Sequence, residues 1–242
     1  YAIISNPNNG AIIAMAGKRI LKNNSWEDVT SNIINSSFTV GSVVKGATIV
    51  VGYQNNIVDI GTKMTDSCIK LYSVPQKCSF KRLGVIDDIT ALMNSSNYYQ
   101  FKIAIGLTGN KYVPNMKLHA TEEHFTIYRD TLASFGLGVK TGVDLPNEQT
   151  GIKGKMISDD LLLNLSIGQY DTYTPIQIVQ YINTIAKNNK LNKIVSFIYS
   201  LFSSIKKDIF IIRTNMSCYH LSLCIATPQN LNAINGISCI QY

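Results

Sequence analysis

The chain has 242 residues, which is long enough to bury a full hydrophobic core in one or two domains. Apolar residues make up 45% of it and charged residues only 15%, which excludes an intrinsically disordered chain. The net charge of +7 would suit nucleic acid, anionic lipid or an anionic cell wall, but no nucleic-acid recognition motif accompanies it, so we expect no nucleic-acid partner.

The first predicted element is a β-hairpin. Two apolar runs, residues 1–5 and 11–16, flank Asn9-Gly10, a pair that is typical of a type I′ turn. Residues 18–35 are polar and irregular, with asparagine and serine clusters that indicate loops. A lone hairpin is marginally stable in water, so we expect it to join a larger sheet or to pack on helices.

Helices are predicted farther along the chain. The apolar run "SFTVGSVVKGATIVVGYQNN" is rich in β-branched residues, but its length favours a buried helix over a strand. Residues 87–107 predict two helices, broken at Asn94-Ser95-Ser96 because these residue types are good N-caps. "TEEHFTIYRDTLASFGLG" and "TPIQIVQYINTIAKNN" predict two more, the second with Pro175 in its first turn.

The cysteines and histidines do not form a recognisable metal or redox pattern. Five cysteines are an odd number, which excludes a complete disulfide framework, and we predict that all five are free thiols. His119 and His124 lie five residues apart, so on a helix they would occupy different faces. Their surroundings match neither H-E-x-x-H nor H-x-x-E-H, so we predict an exposed helix start there and no metal site.

Ser42 and Lys45 are a candidate nucleophile and its base. Three residues apart, they share one face of a helix. A serine hydroxyl is a poor nucleophile until a neighbouring base takes its proton, and a buried, deprotonated lysine can be that base. The spacing alone is a weak signal, since S-x-x-K also occurs at residues 67–70, 203–206 and 204–207.

Ser95 and Asn97 form a second candidate pair at the predicted helix break. A hydroxyl there could relay a proton to a leaving amine, and the amide could hold the peptide carbonyl of a substrate. Simple helix capping is the alternative interpretation of the same residues. Lys140-Thr141-Gly142 completes the order S-x-x-K, S-x-N, K-T-G found in serine acyltransferases that react with β-lactams.

Longer segments make the pattern more specific. "IIAMAG", "FTVGSVVKGATI", "LMNSSNYYQFKIAIGL", "FGLGVKTGVDLPNEQTG" and "NLSIGQYDTYTPIQIVQ" occur in this order. Together they resemble the transpeptidase domain of class B penicillin-binding proteins, over about residues 1–190. The most specific parts are Asp-Leu-Pro-x-Glu-x-x-Gly at residues 144–151 and the segment at residues 167–177.

The resemblance implies an α+β fold, with an antiparallel sheet flanked by helices and an all-helical subdomain. It implies a peptidoglycan D,D-transpeptidase in which Ser42 is acylated by D-Ala-D-Ala stem peptides or by β-lactams. Lys45 would be the base, Ser95 the proton relay and Asn97 a ligand of the substrate carbonyl, without metal or organic cofactor. The domain would lie on the extracytoplasmic face of a bacterial membrane, anchored by a segment absent from this chain, among other membrane proteins of cell-wall synthesis.

The resemblance also changes the interpretation of Lys140-Thr141-Gly142. In this family the catalytic triplet lies on a sheet strand and follows the segment at residues 167–177, whereas Lys140 precedes that segment. We therefore interpret this triplet as a structural turn, and the chain contains no other Lys-Thr-Gly. Two further departures are Val-Val between Ser42 and Lys45, and Tyr170 in place of a glycine, which would crowd the cleft.

Residues 191–242 no longer resemble the family. They contain strand-capable runs, "DIFIIRT" and "CYHLSLCIA", but not the expected motif residues. We expect a partial transpeptidase domain at residues 1–190 and a divergent or out-of-frame tail at 191–242, with the C-terminal sheet strands missing or uncertain. Activity would then be impaired, and a non-catalytic, penicillin-recognising sensor or scaffold is the alternative function.

Overall fold

The computed structural model describes residues 1–187 and, by backbone alone, the strands at 210–215, 220–225 and 238–241. The chain divides into two compact units. The first unit consists of Tyr1–Val40, Phe135–Ile152 and Thr172–Tyr242, and the second of Gly41–Ser134 and Lys153–Asp171. No helix among the described residues has the length and apolar character needed to cross a membrane.

The first unit begins with the predicted hairpin. β1 (Ala2–Ser5) pairs antiparallel with β2 (Ile12–Ala16), which confirms the hairpin. Its turn is wider than the predicted type I′ turn, because the N–H of Asn6 donates to the carbonyl of Ala11, 2.8 Å away. Gly10 alone in this turn has a positive φ, of 77°, whereas a type I′ turn needs two such residues.

A second hairpin follows where loops were predicted. β3 (Lys18–Ile20) pairs with β4 (Trp26–Asp28), and a short helix α1 (Asn32–Asn35) comes next. Ion pairs link the two strands at their exposed positions. Ile20 and Trp26, paired opposite each other, are 61% and 65% exposed. Because neither face of this hairpin is buried, the sequence shows no apolar alternation to reveal it.

The remaining elements of the first unit come from the end of the chain. Helix α7 (Pro175–Ala186) packs against β1, to which a buried hydrogen bond of 2.9 Å from Ser5 Oγ to Asn183 Oδ1 also ties it. Three antiparallel strands follow in the order β11-β10-β9, with β9 beside β1: β9 (Phe210–Asn215), β10 (His220–Ile225) and β11 (Ser238–Gln241). β9 overlaps the first strand-capable run and β10 lies in the second, while β11 lies in the last residues of the predicted tail. The other residues of that tail lie outside the described residues.

The second unit is mainly helical. A 3-10 turn (Gly41–Val44) leads into α2 (Lys45–Gln54), and four more helices follow: α3 (Asp88–Met93), α4 (Asn97–Leu107), α5 (Glu122–Ser134) and α6 (Asp159–Ser166). α4 packs against both α2 and α6, and α2 also packs against α5. The side chains at residues 45–52 are all buried, which explains why α2 has an apolar, β-branched sequence without amphipathic periodicity.

The α+β class is therefore confirmed, and the helical subdomain also contains two short strand pairs that were not predicted. β5 (Met64–Thr65) pairs with β8 (Val85–Ile86), and β6 (Cys68–Ile69) pairs with β7 (Lys77–Cys78). Pairs of only two residues are too short to leave a periodic signal in the sequence.

The prediction that all cysteines are free is wrong for two of them. Cys68 and Cys78 form a disulfide, and their Cα atoms lie 4.3 Å apart across the β6–β7 pair. The sequence did not reveal this bond because a ten-residue separation matches no known cysteine motif, and an odd total excludes only a complete framework. Cys218 lies outside the described residues, and Cys224 and Cys239 belong to strands described by backbone alone.

Candidate active site

Ser42 lies in the 3-10 turn at the start of α2, and backbone contacts hold this turn in place. The N–H of Gly41 donates to the carbonyl of Gly168, 2.9 Å away. Gly168 has a φ of 74°, and a Cβ added to it would lie 2.2 Å from the carbonyl oxygen of Gly41. Only glycine fits there, so the segment at residues 167–177 supports the residue that precedes Ser42.

Lys45 is the first residue of α2, and only 2% of it is exposed. Its Nζ donates three hydrogen bonds: to the carbonyl oxygen of Ser95 (2.7 Å), to Ser95 Oγ (2.9 Å) and to Asn97 Oδ1 (2.6 Å). An ammonium group has three N–H donors, so these contacts satisfy all of them. The three predicted site residues Lys45, Ser95 and Asn97 are thus brought together, with Ser42 in the turn just before Lys45.

Burial lowers the pKa of Lys45 from 10.5 to about 7. The cause is desolvation, which disfavours the charged form of a lysine. Among the described residues no carboxylate forms an ion pair with Lys45 that would offset this effect. A substantial fraction of this amine is therefore neutral at neutral pH, as a general base requires.

Ser95 and Asn97 lie at the junction of α3 and α4, where the helix break was predicted. Ser95 has a φ of 52°, a left-handed conformation that is uncommon for a residue other than glycine. Asn97 is the first residue of α4; its Nδ2 donates to the carbonyl of Cys78, 3.2 Å away, while its Oδ1 faces Lys45. One N–H of this amide remains for a further acceptor, such as a peptide carbonyl.

Helix capping was the alternative interpretation of Ser95 and Asn97, but the residue between them performs it. Ser96 is the N-cap of α4, and its Oγ accepts the N–H of Tyr99 at 3.2 Å. Ser95 instead contacts Lys45. Among the competing S-x-x-K matches, Lys70 donates its Nζ to the carbonyl of Val74, and the matches at residues 203–207 lie outside the described residues.

Lys140-Thr141-Gly142 lies in a loop of the first unit and not on a strand, as the resemblance implied. The N–H and Oγ1 of Thr141 both donate to Glu148 Oε1, at 2.6 and 2.7 Å. Glu148 belongs to the Asp-Leu-Pro-x-Glu segment, so the triplet and this segment form one hydrogen-bonded loop. Lys140 itself is exposed.

Two features of the site were not predicted from the sequence. The close contact of Gly168 with Gly41 depends on folded geometry, although the Ile-Gly-Gln segment was a signal that this glycine matters. The backbone carbonyl of Cys78 beside Asn97 left no signal in the sequence, because the strand that carries it was not predicted.

Tyr170 was predicted to crowd the cleft. Its ring packs edge-on against Phe125, and its hydroxyl donates a hydrogen bond to the carbonyl of Met156.

Comparison with known proteins identifies the family of the chain. A family model described as the penicillin binding protein transpeptidase domain matches residues 1–211. Penicillin-binding protein 2A of Bacillus subtilis is 40% identical over 190 residues, which cover 77% of this chain and 26% of the relative. The chain thus spans about a quarter of that protein.

Solved structures show the same fold. Penicillin-binding protein 2B from Streptococcus pneumoniae strain R6 matches with a TM-score of 0.80 and 26% identity, over 95% of this chain and 48% of that one. The penicillin-binding protein PBP2 from Helicobacter pylori, solved in complex with MreC, matches with a TM-score of 0.67 and 17% identity, over 93% of this chain and 52% of that one.

Proposed function

The chain belongs to the family of class B penicillin-binding protein transpeptidase domains, and on this premise we propose that it transfers acyl groups through Ser42. The donor would be a peptidoglycan stem peptide that ends in D-Ala-D-Ala, and β-lactams would acylate the same serine. The observation that carries this proposal is the burial of Lys45, with its lowered pKa, in contact with Ser95 and Asn97.

In the first half-reaction, Ser42 Oγ attacks the carbonyl carbon of the penultimate D-Ala. Its proton passes to the neutral Nζ of Lys45, and the backbone N–H of Ser42 stabilises the negative charge that develops on the carbonyl oxygen. The C–N bond then breaks as the leaving nitrogen takes up this proton, D-Ala leaves with a neutral amine, and Ser42 carries the stem peptide as an ester. Asn97 holds the peptide carbonyl through its remaining N–H.

Ser95 suits the role of proton relay because its hydroxyl can reverse direction. When Lys45 is an ammonium, Ser95 Oγ accepts from it. When Lys45 is neutral it has two N–H groups and one lone pair, and the hydroxyl can rotate to donate to the amine. The proton that Lys45 takes from Ser42 can thus reach the leaving amine through Ser95 without movement of the backbone.

In the second half-reaction, the amine of a neighbouring stem peptide attacks the ester. Lys45, neutral again, accepts the proton of this amine. As the ester C–O bond breaks, Lys45 passes this proton to Ser42 Oγ, which recovers its hydroxyl. The product is a cross-link between two stem peptides. All groups used for these steps are a hydroxyl, an amine and backbone or side-chain amides, so the proposed chemistry requires no metal or organic cofactor.

We also propose an extracytoplasmic location on a bacterial membrane. The Cys68–Cys78 disulfide supports it, because disulfides form and persist outside the reducing cytosol. Membrane proteins of cell-wall synthesis are proposed as further partners, since the related Helicobacter pylori protein has been solved in complex with MreC.

One observation favours a second candidate function, a penicillin-recognising sensor or scaffold without turnover. The single Lys-Thr-Gly of the sequence lies in a loop that is hydrogen-bonded to Glu148, where it cannot serve as a substrate-binding strand. If no other strand supplies a second oxyanion donor, the activation free energy of acylation would be higher by about 2.7–4 kcal/mol.

Labelling with a fluorescent penicillin tests the proposal. We expect covalent labelling of the chain, slow but complete, and none for Ser42→Ala. Turnover of a D-Ala-D-Ala thioester analogue would show that the chain also completes the second half-reaction. A folded chain that binds penicillin reversibly without a covalent label would support the sensor or scaffold, and labelling that survives in Ser42→Ala would refute Ser42 as nucleophile.

A further inference from the structure

The first turn of α4 is held by side chains from outside the helix. The backbone N–H groups at the start of a helix have no partner within it. Here Ser79 Oγ accepts the N–H of Asn97 at 3.1 Å and that of Tyr98 at 3.2 Å. Ser96 Oγ accepts the N–H of Tyr99 at 3.2 Å. Two serine hydroxyls therefore satisfy the first three N–H groups of the helix that begins with the proposed substrate ligand.

Both hydroxyls donate to one carboxylate oxygen. Asp66 Oδ2 lies 2.8 Å from Ser79 Oγ and 2.7 Å from Ser96 Oγ. A carboxylate only accepts, so each serine hydrogen must point to Asp66, and the lone pairs of each serine are left for the backbone N–H groups. Asp66 is 7% exposed and Ser96 is fully buried, so little water competes for these bonds.

Asp66 also supplies a charge that α4 lacks. The helix has no acidic residue in its own first turn. The N-terminal end of a helix carries a partial positive charge, which a nearby carboxylate stabilises. Asp66, two hydrogen bonds away from the first N–H groups, provides this charge from another part of the chain.

The disulfide holds the two sides of this network together. Cys68 lies two residues after Asp66, and Cys78 directly precedes Ser79. The bond between them links the two strands β6 and β7 covalently, and the carboxylate and its serine partner lie within two residues of these strands. The carbonyl of Cys78 also accepts a hydrogen bond from Nδ2 of Asn97, so the consecutive residues Cys78 and Ser79 contact both the side chain and the backbone of Asn97.

We propose that Asp66 is a positioning residue for the acylation reaction. Its carboxylate directs Ser79 and Ser96 onto the first turn of α4, and this turn places Ser95 and Asn97 against Lys45. Asp66 contacts none of the reacting groups, and it acts only through the two serines. The proposal rests on the proposed roles of Ser95 and Asn97.

The test compares Asp66→Ala and Asp66→Asn with the unchanged chain. We would measure the first-order rate constant of labelling at saturating fluorescent penicillin, per folded molecule. The penicillin concentration that gives half of this maximal rate is measured as well. We expect Asp66→Ala to lower this rate by about 10- to 100-fold, since small displacements of reacting groups have effects of that order. Asp66→Asn should stay within about threefold, because its amide oxygen can accept both hydroxyls.

Asp88→Ala is the matched control. Asp88 is also a buried carboxylate of the second unit, and it accepts from the hydroxyl of Tyr53 and from the N–H of Gly61. Its loss should lower the melting temperature and leave the labelling rate of the folded protein unchanged. An Asp66→Ala rate equal to that of the unchanged chain, or an equal loss in Asp88→Ala, would overturn the proposal.

Amide hydrogen exchange gives a second readout that does not need acylation. In Asp66→Ala we expect faster exchange at the amides of residues 97–99, and in Asp88→Ala unchanged exchange there. If the unchanged chain is not labelled at all, the proposed function fails, while the exchange data still decide whether Asp66 holds the turn. Unaltered exchange at these amides in Asp66→Ala would refute the positioning role.

Discussion

The rate of acylation should rise with pH through a midpoint near 7, because Lys45 must be neutral to accept the proton of Ser42. Burial lowers the pKa of this lysine from 10.5 to about 7, a free-energy difference of about 5 kcal/mol against the ammonium form. Roughly one tenth of the lysines would be neutral at pH 6 and roughly nine tenths at pH 8. The rate should therefore increase about tenfold between these two values and then level off.

The assay is labelling by a fluorescent penicillin at saturating concentration, from pH 5.5 to pH 9. Lys45→Arg should show little labelling at any pH in this range, since a guanidinium group does not give up its proton. Lys102→Met is the matched control: Lys102 is a partly buried lysine of the same unit, in α4, whose ammonium lies over the ring of Tyr112. Its removal should leave the midpoint unchanged.

Two results would refute this reasoning. A rate that keeps rising about tenfold per pH unit up to pH 9 would mean that Lys45 retains an ordinary lysine pKa. A rate that is independent of pH over the whole range would mean that no base titrates near neutrality, and the role of Lys45 would have to be abandoned.

Three further outcomes are expected. Gly168→Ala should lower the free energy of unfolding by about 1–3 kcal/mol because of the positive φ alone, and the new Cβ would also clash with Gly41. Urea unfolding measures this loss, and a free energy equal to that of the unchanged chain would contradict the packing. Cys68→Ser with Cys78→Ser should cost about 3 kcal/mol in the same measurement, as for a loop of this length, and an unchanged midpoint would argue against the disulfide. Lys140→Ala should leave penicillin labelling unchanged, and a large loss would show that the loop interpretation is wrong.

The sequence predicted those parts of the fold that have a long periodic or apolar pattern. α2, α4 and α7 were recognised because each has ten or more residues and a largely apolar sequence. The helix break at residues 94–96 was recognised because serine and asparagine have a local reason to lie there. Helix α6, with eight residues, and the two-residue strands of the second unit left too short a signal.

The candidate site likewise has a part that the sequence predicted and a part that it did not. Ser42, Lys45, Ser95 and Asn97 could be proposed from residue type, spacing and resemblance. Their supporting contacts could not, because Asp66 and Ser79 lie in segments next to short strands that only the folded chain brings together. The disulfide next to them was predicted wrongly for the same reason, since pairing depends on proximity in space and not on spacing along the chain.

The burial of Lys45 also affects the free energy of unfolding. The unfolded chain binds a proton at this lysine up to about pH 10.5, whereas the folded chain loses it near pH 7. The folded state is therefore favoured increasingly as pH rises above 7, by about 1.4 kcal/mol per pH unit from this group. Near pH 10 the sign reverses, because burial raises the pKa values of Tyr53, Tyr99 and Tyr128 above those of the unfolded chain. These groups together therefore place the pH of greatest stability near 10, where the proposed base is also neutral.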